Sequence, residues 1–518
     1  MRNMRLHLVL ILCLALLAGG LCSCGAELNT FTWRVDAVPS NLDPQMARDS
    51  GDVIAVTHLF SGLMRLDENG DPQPDCAESW EMSADGLTYT FTLKEGLTWR
   101  WYRARGNDFV RAVEARDFVF AFQRVFSAAT ASPYAQSFSC IQGGPEALQG
   151  IGSLAALGVE APDERTVVFR LSKADPDFLR KLCLPGAMPC NQEFFENTSG
   201  SYGLAVRQVL GNGPFYLYNW TNEGLFLRRS ASGKRIDNLR LVLKNSTETD
   251  AAALVADGKS SAELTDDPNA QGLPQRAYLS TTWCLLLRCS GPLADRDLRA
   301  ALAQAAYGVE LPLPDGCTRA QGLVPPAVTS GGGSYREAQG SALPQLGDAL
   351  SLYQSGLQRL GLSSLKGISI LAPEGSQYTQ LVGYLNEAWQ KQFSAFFTVR
   401  QLPQEEFQAA IEQGDYDIAL YPLSPTSDDA LELCARFGQG GLAGLADEAY
   451  DAALAALQRD PARATPQAVA ALERQLLDAC PVVPLFYQSR YLLIDPAVQG
   501  LVFRPFGPVL DVSGASLA

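Results

Sequence analysis

Asp85-Gly86-Leu87-Thr88-Tyr89-Thr90-Phe91-Thr92-Leu93-Lys94 is the stretch on which the reading of this chain turns. From Thr88 to Leu93, β-branched threonines alternate with Tyr, Phe and Leu at a period of two. Residues of these types at this period fit a pleated, half-buried strand. Upstream, Phe31-Thr32-Trp33-Arg34-Val35 alternates in the same way. Between them, residues 52–63 carry a helical apolar face that stops at Gly62. Downstream, 115–126 reads as a helix with Asp117 in its first turn, where the helix dipole favours a carboxylate. Strands follow at 166–171, 215–218, 225–227 and 239–243.

From Leu293 onward the texture becomes α/β. A helix at 297–306 leads into a Pro/Gly-rich stretch, 311–340, that contains Gly331-Gly332-Gly333-Ser334. Helices at 346–360, 379–393 and 405–413 then alternate with strands at 368–371, 397–400 and 416–420. That βαβ rhythm predicts a mostly parallel sheet covered by helices. Residues 482–487 and 491–494 return to strand. No internal repeat is visible.

The chain has 518 residues, 47% of them apolar and 19% charged, which is globular composition rather than disorder. At its start, Arg2 and Arg5 precede an apolar run from Leu6 to Leu21 that ends in Leu21-Cys22-Ser23-Cys24-Gly25, the grammar of a secretory signal. The run is short of the roughly 20 apolar residues a bilayer crossing needs. Its ending resembles a bacterial lipobox. In that reading residues 1–23 are removed and Cys24 carries the lipid; Cys22 is the rival acceptor, and an uncleaved anchor is the alternative. The expected body is then a soluble domain held at the extracytoplasmic face of the membrane, since more than one acyl chain anchors firmly. The segment Thr281-Thr282-Trp283-Cys284-Leu285-Leu286-Leu287 stops at Arg288 and reads as a buried strand, not a span.

The net charge of −15, near −17 once Arg2 and Arg5 are removed, opposes binding to nucleic acid. Arg100, Arg103, Arg105 and Arg111 read as a solvated loop. Nine cysteines lie beyond Cys24, an odd number, and none forms a Cys-x-x-Cys pair, so no zinc ribbon or redox motif is supported. The turn between Cys183 and Cys190 could bring those two together. Gly258-Lys259-Ser260 imitates the end of a phosphate-binding loop, but Ala253 stands at the first glycine position, so it reads as a turn. Beyond the signal the one histidine is His58, read as a core residue. Histidine-based catalysis, a metal site or a cofactor site therefore has no support, and no enzyme is expected.

Several segments, in order, resemble the family 5 extracellular solute-binding proteins, the dipeptide- and oligopeptide-binding lipoproteins of ABC importers. They are Asn41-Leu42-Asp43-Pro44, Leu59-Phe60-Ser61-Gly62-Leu63, Pro74-Asp75-Cys76-Ala77-Glu78-Ser79-Trp80-Glu81, the opening stretch 85–94, Trp99, Ala115-Arg116-Asp117-Phe118, Asn212-Gly213-Pro214-Phe215 and Pro481-Val482-Val483-Pro484-Leu485-Phe486-Tyr487. The resemblance implies a two-lobed α/β fold like that of periplasmic binding proteins, with a hinge and an extra small domain inserted in the N-terminal lobe. Lobe I would take 24–59, 166–279 and 483–518, the inserted domain 60–165 and lobe II 280–482. It also implies a monomer that captures peptides in the cleft and passes them to ABC permease subunits in the membrane. The alternatives are a divergent peptide sensor or interaction protein, or a binder of another small solute.

By the same resemblance, Arg48, Asp49 and Ser50 would pair with the peptide backbone, Tyr421 to Ser424 would face them, and Asn212 and Gly213 would lie near the hinge. The family's ammonium-binding aspartate falls at Ser424, and its tryptophan at Tyr421. Loss of that carboxylate leaves the ammonium to Asp49, to Asp428 or Asp429 from a shifted loop, or to backbone carbonyls alone; the other reading of Asp428 and Asp429 is that both cap the helix at 430–437. A second departure is Arg228-Arg229-Ser230-Ala231 after Leu227.

Overall fold

The strand at Thr88–Leu93 forms with Tyr89, Phe91 and Leu93 buried and the three threonines half-buried. This computed structural model describes residues 29–101, 109–230, 235–268, 272–330, 333–460, 463–506 and 510–518. The signal segment with Cys22 and Cys24, together with Arg103, Arg105, Ala231, Gly331 and Gly332, lies outside the described residues. Thr88–Leu93 sits inside a four-stranded antiparallel sheet, between Ala77–Met82 and Thr166–Arg170, with Val159–Glu160 at the far edge. The helix Ala115–Val125 covers one face, with Phe122 meeting Phe169 edge-on at 5.1 Å. Its N-terminus is closed by a reciprocal cap in which Asp117 accepts from the Glu114 N–H at 3.0 Å. The same carboxylate accepts from the indole Nε1 of buried Trp99 at 2.8 Å.

The main sheet has eleven strands. In chain order they are β1 (Thr30–Val35), β2 (Phe215–Thr221), β3 (Gly224–Arg229), β4 (Asn238–Leu243), β5 (Ala262–Thr265), β6 (Gln275–Leu287), β7 (Cys317–Arg319), β8 (Ser369–Pro373), β9 (Thr398–Leu402), β10 (Ile418–Leu423) and β11 (Val482–Ile494). Across the sheet they run β2-β3-β4-β1-β5-β11-β6-β10-β8-β9, with β7 pairing β11. Parallel pairing is confined to β4-β1-β5 and β10-β8-β9. The expected mostly parallel sheet thus holds for β8, β9 and β10, whose connections are helical crossovers. It gives way to antiparallel pairing where β6 and β11 enter from the other lobe.

Those two strands explain the two-lobed form. One hydrophobic core joins β1–β4 to the small sheet and includes Phe31, Phe91, Leu241 and Leu510. In the other lobe β6 is buried on both faces. Trp283, Leu285 and Leu287 enter one core with Leu302 and Trp389, while Cys284 and Leu286 enter another with Leu371 and Leu476. Alternate side chains of a strand point to opposite faces, so an uninterrupted apolar run is what a doubly covered strand requires. The cysteines beyond Cys24 carry free thiols. Cys183 and Cys190 are not bridged, and burial pushes both thiols up to about 12.

His58 is fully buried, as expected of a core histidine. Its Nδ1 lies 2.6 Å from the Ile54 carbonyl, and its Nε2 accepts from the Val512 N–H at 3.0 Å. Burial holds its pKa below the ordinary value, consistent with a neutral ring that donates at Nδ1. Gly258 has φ +68° in the turn after the helix Ala251–Ala256, where no phosphate-cradling loop forms.

A second buried polar contact explains the Leu-Asp-Pro segment. Arg124, on the helix over the small sheet, donates from Nη1 to Asp43 Oδ1 at 2.9 Å and to Gln45 Oε1 at 2.6 Å, and from Nη2 to Asp43 Oδ2. Its guanidinium also lies 4.1 Å from the Phe195 ring centroid. Asp43 and Arg124 are 5% and 6% exposed, so removing one strands a charge. Asp43→Ala is expected to cost about 3–5 kcal/mol in urea unfolding, whereas the double substitution Asp43→Leu with Arg124→Met should cost far less. Equal losses for the two variants would contradict this account.

Candidate functional site

The site begins with two irregularities in the β6–β11 ladder. Leu279 pairs with Ser489 and Thr281 with Gln488, so Ser280 is an extra residue on β6. Trp283 pairs with Phe486 and Cys284 with Pro484, so Leu485 is an extra residue on β11. The two bulges offset each other and register is restored beyond them. A bulge bends a strand and increases its local twist, so this pair of bulges is where the sheet turns from one lobe into the other. Side-chain hydrogen bonds, one across the ladder and one to a neighbouring loop, fasten the turn. Trp283 Nε1 donates to Gln488 Oε1 at 2.6 Å, and Thr282 Oγ1 donates to the Leu323 carbonyl at 2.8 Å.

A cavity of about 760 Å³ opens beside the first bulge, in the size range of small-molecule sites. Lobe I contributes Trp33 and Arg34 from β1, residues 49–51 at the start of the helix Ser50–Leu59, Lys244, and Asp266 just beyond β5. Ser280 and Thr281 line the hinge side, and Ser424 and Pro425, just past β10, face them from lobe II. Asp49, Ser50 and Ser424 therefore come together across one cleft. Arg48 is exposed next to them, and its Nη2 reaches the Ala131 carbonyl at 3.5 Å.

Charge in this cavity is mostly paired. Lys244 meets Asp36 at 2.8 Å, and Arg490 meets Asp266 at 3.3 Å. Arg34 is 7% exposed and lies 3.6 Å from Glu263 and 3.8 Å from Glu248. Burial raises the Glu263 pKa, and Arg34 opposes that shift. Among the described residues, Asp49 is the cavity carboxylate with neither an ion pair nor a side-chain hydrogen bond. It stands at the N-cap of its helix without capping it.

Of the other sequence-predicted residues, Asp428 and Asp429 line a neighbouring chamber, while Tyr421, Asn212 and Gly213 stand outside the cavity walls. The Ser424 hydroxyl is 2.8 Å from that of Thr281, and its carbonyl accepts from Arg436 Nη2 at 3.0 Å. Tyr421 turns away from the cleft, its ring against Phe407 at 6.2 Å. Asp429 caps the helix Ala430–Ala435 by accepting from the Leu431 N–H at 2.9 Å, and burial raises its pKa. Asp428 does not cap. It accepts from the Thr329 N–H at 2.6 Å and from the Thr329 hydroxyl, and it lies 4.0 Å from Arg180 of the opposite lobe. Asn212 bonds both ways with the Ser61 backbone, at 3.0 and 2.9 Å. Gly213 is pressed on the preceding helix end, where a Cβ would come within 2.7 Å of the His58 carbonyl oxygen. Both hold lobe I together, away from the cavity walls.

Arg34, Asp266, Tyr278, Arg490 and the tail residues Phe503 and Phe506 line the cleft without having been singled out in the sequence. A charged residue inside the alternating strand at 31–35 was the available signal for Arg34. The others meet only through long-range pairing.

Known proteins share sequence and fold with this chain. A dipeptide-binding protein of Lactococcus lactis subsp. cremoris is 26% identical, with 96% of each chain covered. The substrate-binding domain of an oligopeptide ABC transporter from Bacillus anthracis superposes with a TM-score of 0.66 at 23% identity, covering 95% of this chain and 99% of that one. The peptide-bound OppA of Listeria monocytogenes superposes at 0.65 and 20% identity, covering 95% and 100%. The model for bacterial extracellular solute-binding proteins, family 5, matches residues 71–442, and the chain belongs to that family.

Proposed function

We propose that this protein captures peptides outside the cytoplasmic membrane and delivers them to the permease of an ABC importer. The observation that carries the reading is the cavity at the β6–β11 bulges, which sets Asp49 and Ser50 of one lobe opposite Ser424 of the other. A cleft between hinged lobes binds by closing, and a ligand favours closure only to the extent that it binds the closed form better. The dipeptide-binding relative, similar over the whole length, supports peptide as the solute.

Asp49 is our choice for the ammonium-binding group. Asp429 is committed to its helix cap and Asp428 to Thr329, whereas Asp49 keeps its carboxylate open to the cavity. Main-chain groups of residues 48–50 and 424 would bond the peptide as a neighbouring strand does, which accepts varied sequences. Lobe I is assigned to 24–59, 166–279 and 483–518, the inserted domain to 60–165 and lobe II to 280–482. Separate cores support the distinction between the N-terminal lobe with its inserted domain and lobe II, although Val483, Leu485, Phe486 and Phe506 of the C-terminal part pack in the lobe II cores. The protein acts as a monomer without catalysis, held by lipid on Cys24. Among the described residues, no helix is long and apolar enough to cross a membrane.

Calorimetry on a short peptide and its N-acetylated form tests the anchor. Acetylation should weaken binding about tenfold, equivalent to 1.4 kcal/mol. Asp49→Asn should erase the difference, while Asp428→Asn leaves it intact. Equal affinity for both forms in the unsubstituted protein would rule out an ammonium anchor. For the membrane tether, Cys24→Ala should abolish incorporation of labelled fatty acid. Continued labelling of the variant would assign the lipid to another residue.

A further inference from the structure

The cleft does not end at the 760 Å³ cavity. A second chamber of about 510 Å³ adjoins it through shared walls at Tyr278, Phe503, Pro505 and Phe506. A third, of about 490 Å³, adjoins the second through Thr329, Asp428, Arg504 and Phe506. Among the described residues, Phe506 is the one side chain common to all three linings.

We infer that residues 503–506 form a partition across the cleft, with Phe506 as the stop that restricts the ligand to a short zwitterionic peptide of two or three residues. This rests on the peptide reading above and adds the length of the ligand to it.

The segment is fixed at both ends. Phe503 belongs to the core of lobe I, with its ring 6.1 Å from Trp33 and 5.3 Å from Tyr278. Arg504 Nη1 donates to the carbonyls of Leu66, at 3.3 Å, and Asp67, at 3.0 Å, which ties the segment to the small hairpin of Met64–Leu66 and Pro72–Pro74. Pro505 restricts the backbone between them. Phe506, only 7% exposed, joins the lobe II core that holds Leu423 and Leu433. Within four residues the chain leaves one lobe's core and enters the other's, so it crosses the cleft as a packed wall.

The first chamber is self-sufficient for a peptide with both ends free. It holds Asp49 for an ammonium, and Lys244 and Arg490, whose solvent-exposed pairs with Asp36 and Asp266 are weak enough to exchange for a ligand carboxylate. Two or three extended residues span roughly 7–10 Å, and the chamber volume suits a ligand of that size. A longer backbone running toward Asp428 has to displace the Phe506 ring from its packed site.

A length series read by calorimetry tests this: dialanine, trialanine and hexaalanine against the full chain and against Phe506→Ala. The unsubstituted protein should bind the two short peptides at least tenfold more tightly than hexaalanine. Phe506→Ala should bring that ratio below threefold, while Phe506→Leu, which keeps an apolar stop, should preserve it. Equal binding of dialanine and hexaalanine by the unsubstituted protein overturns the partition while leaving the peptide reading in place. So does an unchanged ratio in a folded Phe506→Ala. Failure of all three peptides retires the peptide reading and the length filter together.

Discussion

Two strands, Gln275–Leu287 and Val482–Ile494, carry a continuous antiparallel ladder from one lobe into the other. The first half of β6 pairs with the part of β11 that also holds β5, and the second half pairs with β10. Each lobe is therefore built onto one end of the same ribbon. A ladder of backbone hydrogen bonds resists sliding, because a one-residue slip would turn every side chain to the wrong face. It tolerates bending at bulges, and the two offsetting bulges localise that bending at Ser280 and Leu485. The cavity opens where the ribbon bends, which makes the hinge and the binding cleft one structural feature.

The electrostatics follow from that placement. A cleft that opens and closes cannot leave many charges unpaired without a large desolvation cost on closure. Here Lys244, Arg490 and Arg34 each have a carboxylate neighbour within their own lobe or at its edge. Asp49 stands apart, and a ligand cation would complete it. The serine in place of the family's aspartate loses little structurally, because Ser424 bonds Thr281 beside the bulge and its carbonyl accepts from Arg436. On the other side, Asp428 faces Arg180 of the opposite lobe and Asp429 caps a helix, so both carboxylates already have partners within the protein.

What could be read from the sequence was local. The alternation at 88–93 and 31–35, the helical faces at 115–126 and 379–393, and the βαβ texture after Leu293 all depend on neighbours within a dozen residues, and each element is present within a few residues of its expected ends. The crossing strands were harder. Residues 275–279 of β6 are exposed or half-buried and open with Gln275 and Arg276, so only its more continuously apolar second half stood out. Likewise β11 showed as two pieces, at 482–487 and 491–494, because Gln488 and Arg490 interrupt its apolar pattern where it leaves one core for the next. The cleft residues are separated by more than two hundred positions, as Tyr278 and Arg490 are, and only the register joins them. The role of Asp43 as partner to Arg124 was hidden for the same reason.

The most direct measurement is a crystal structure of the protein with a bound dipeptide. The account predicts the peptide backbone lying between residues 48–51 and Ser424, beside the Ser280 bulge, with its ammonium nitrogen within about 4 Å of the Asp49 carboxylate and Phe506 closing the far end. A peptide seated in the chamber of Asp428 and Asp429, or one that leaves Asp49 in solvent, would contradict it.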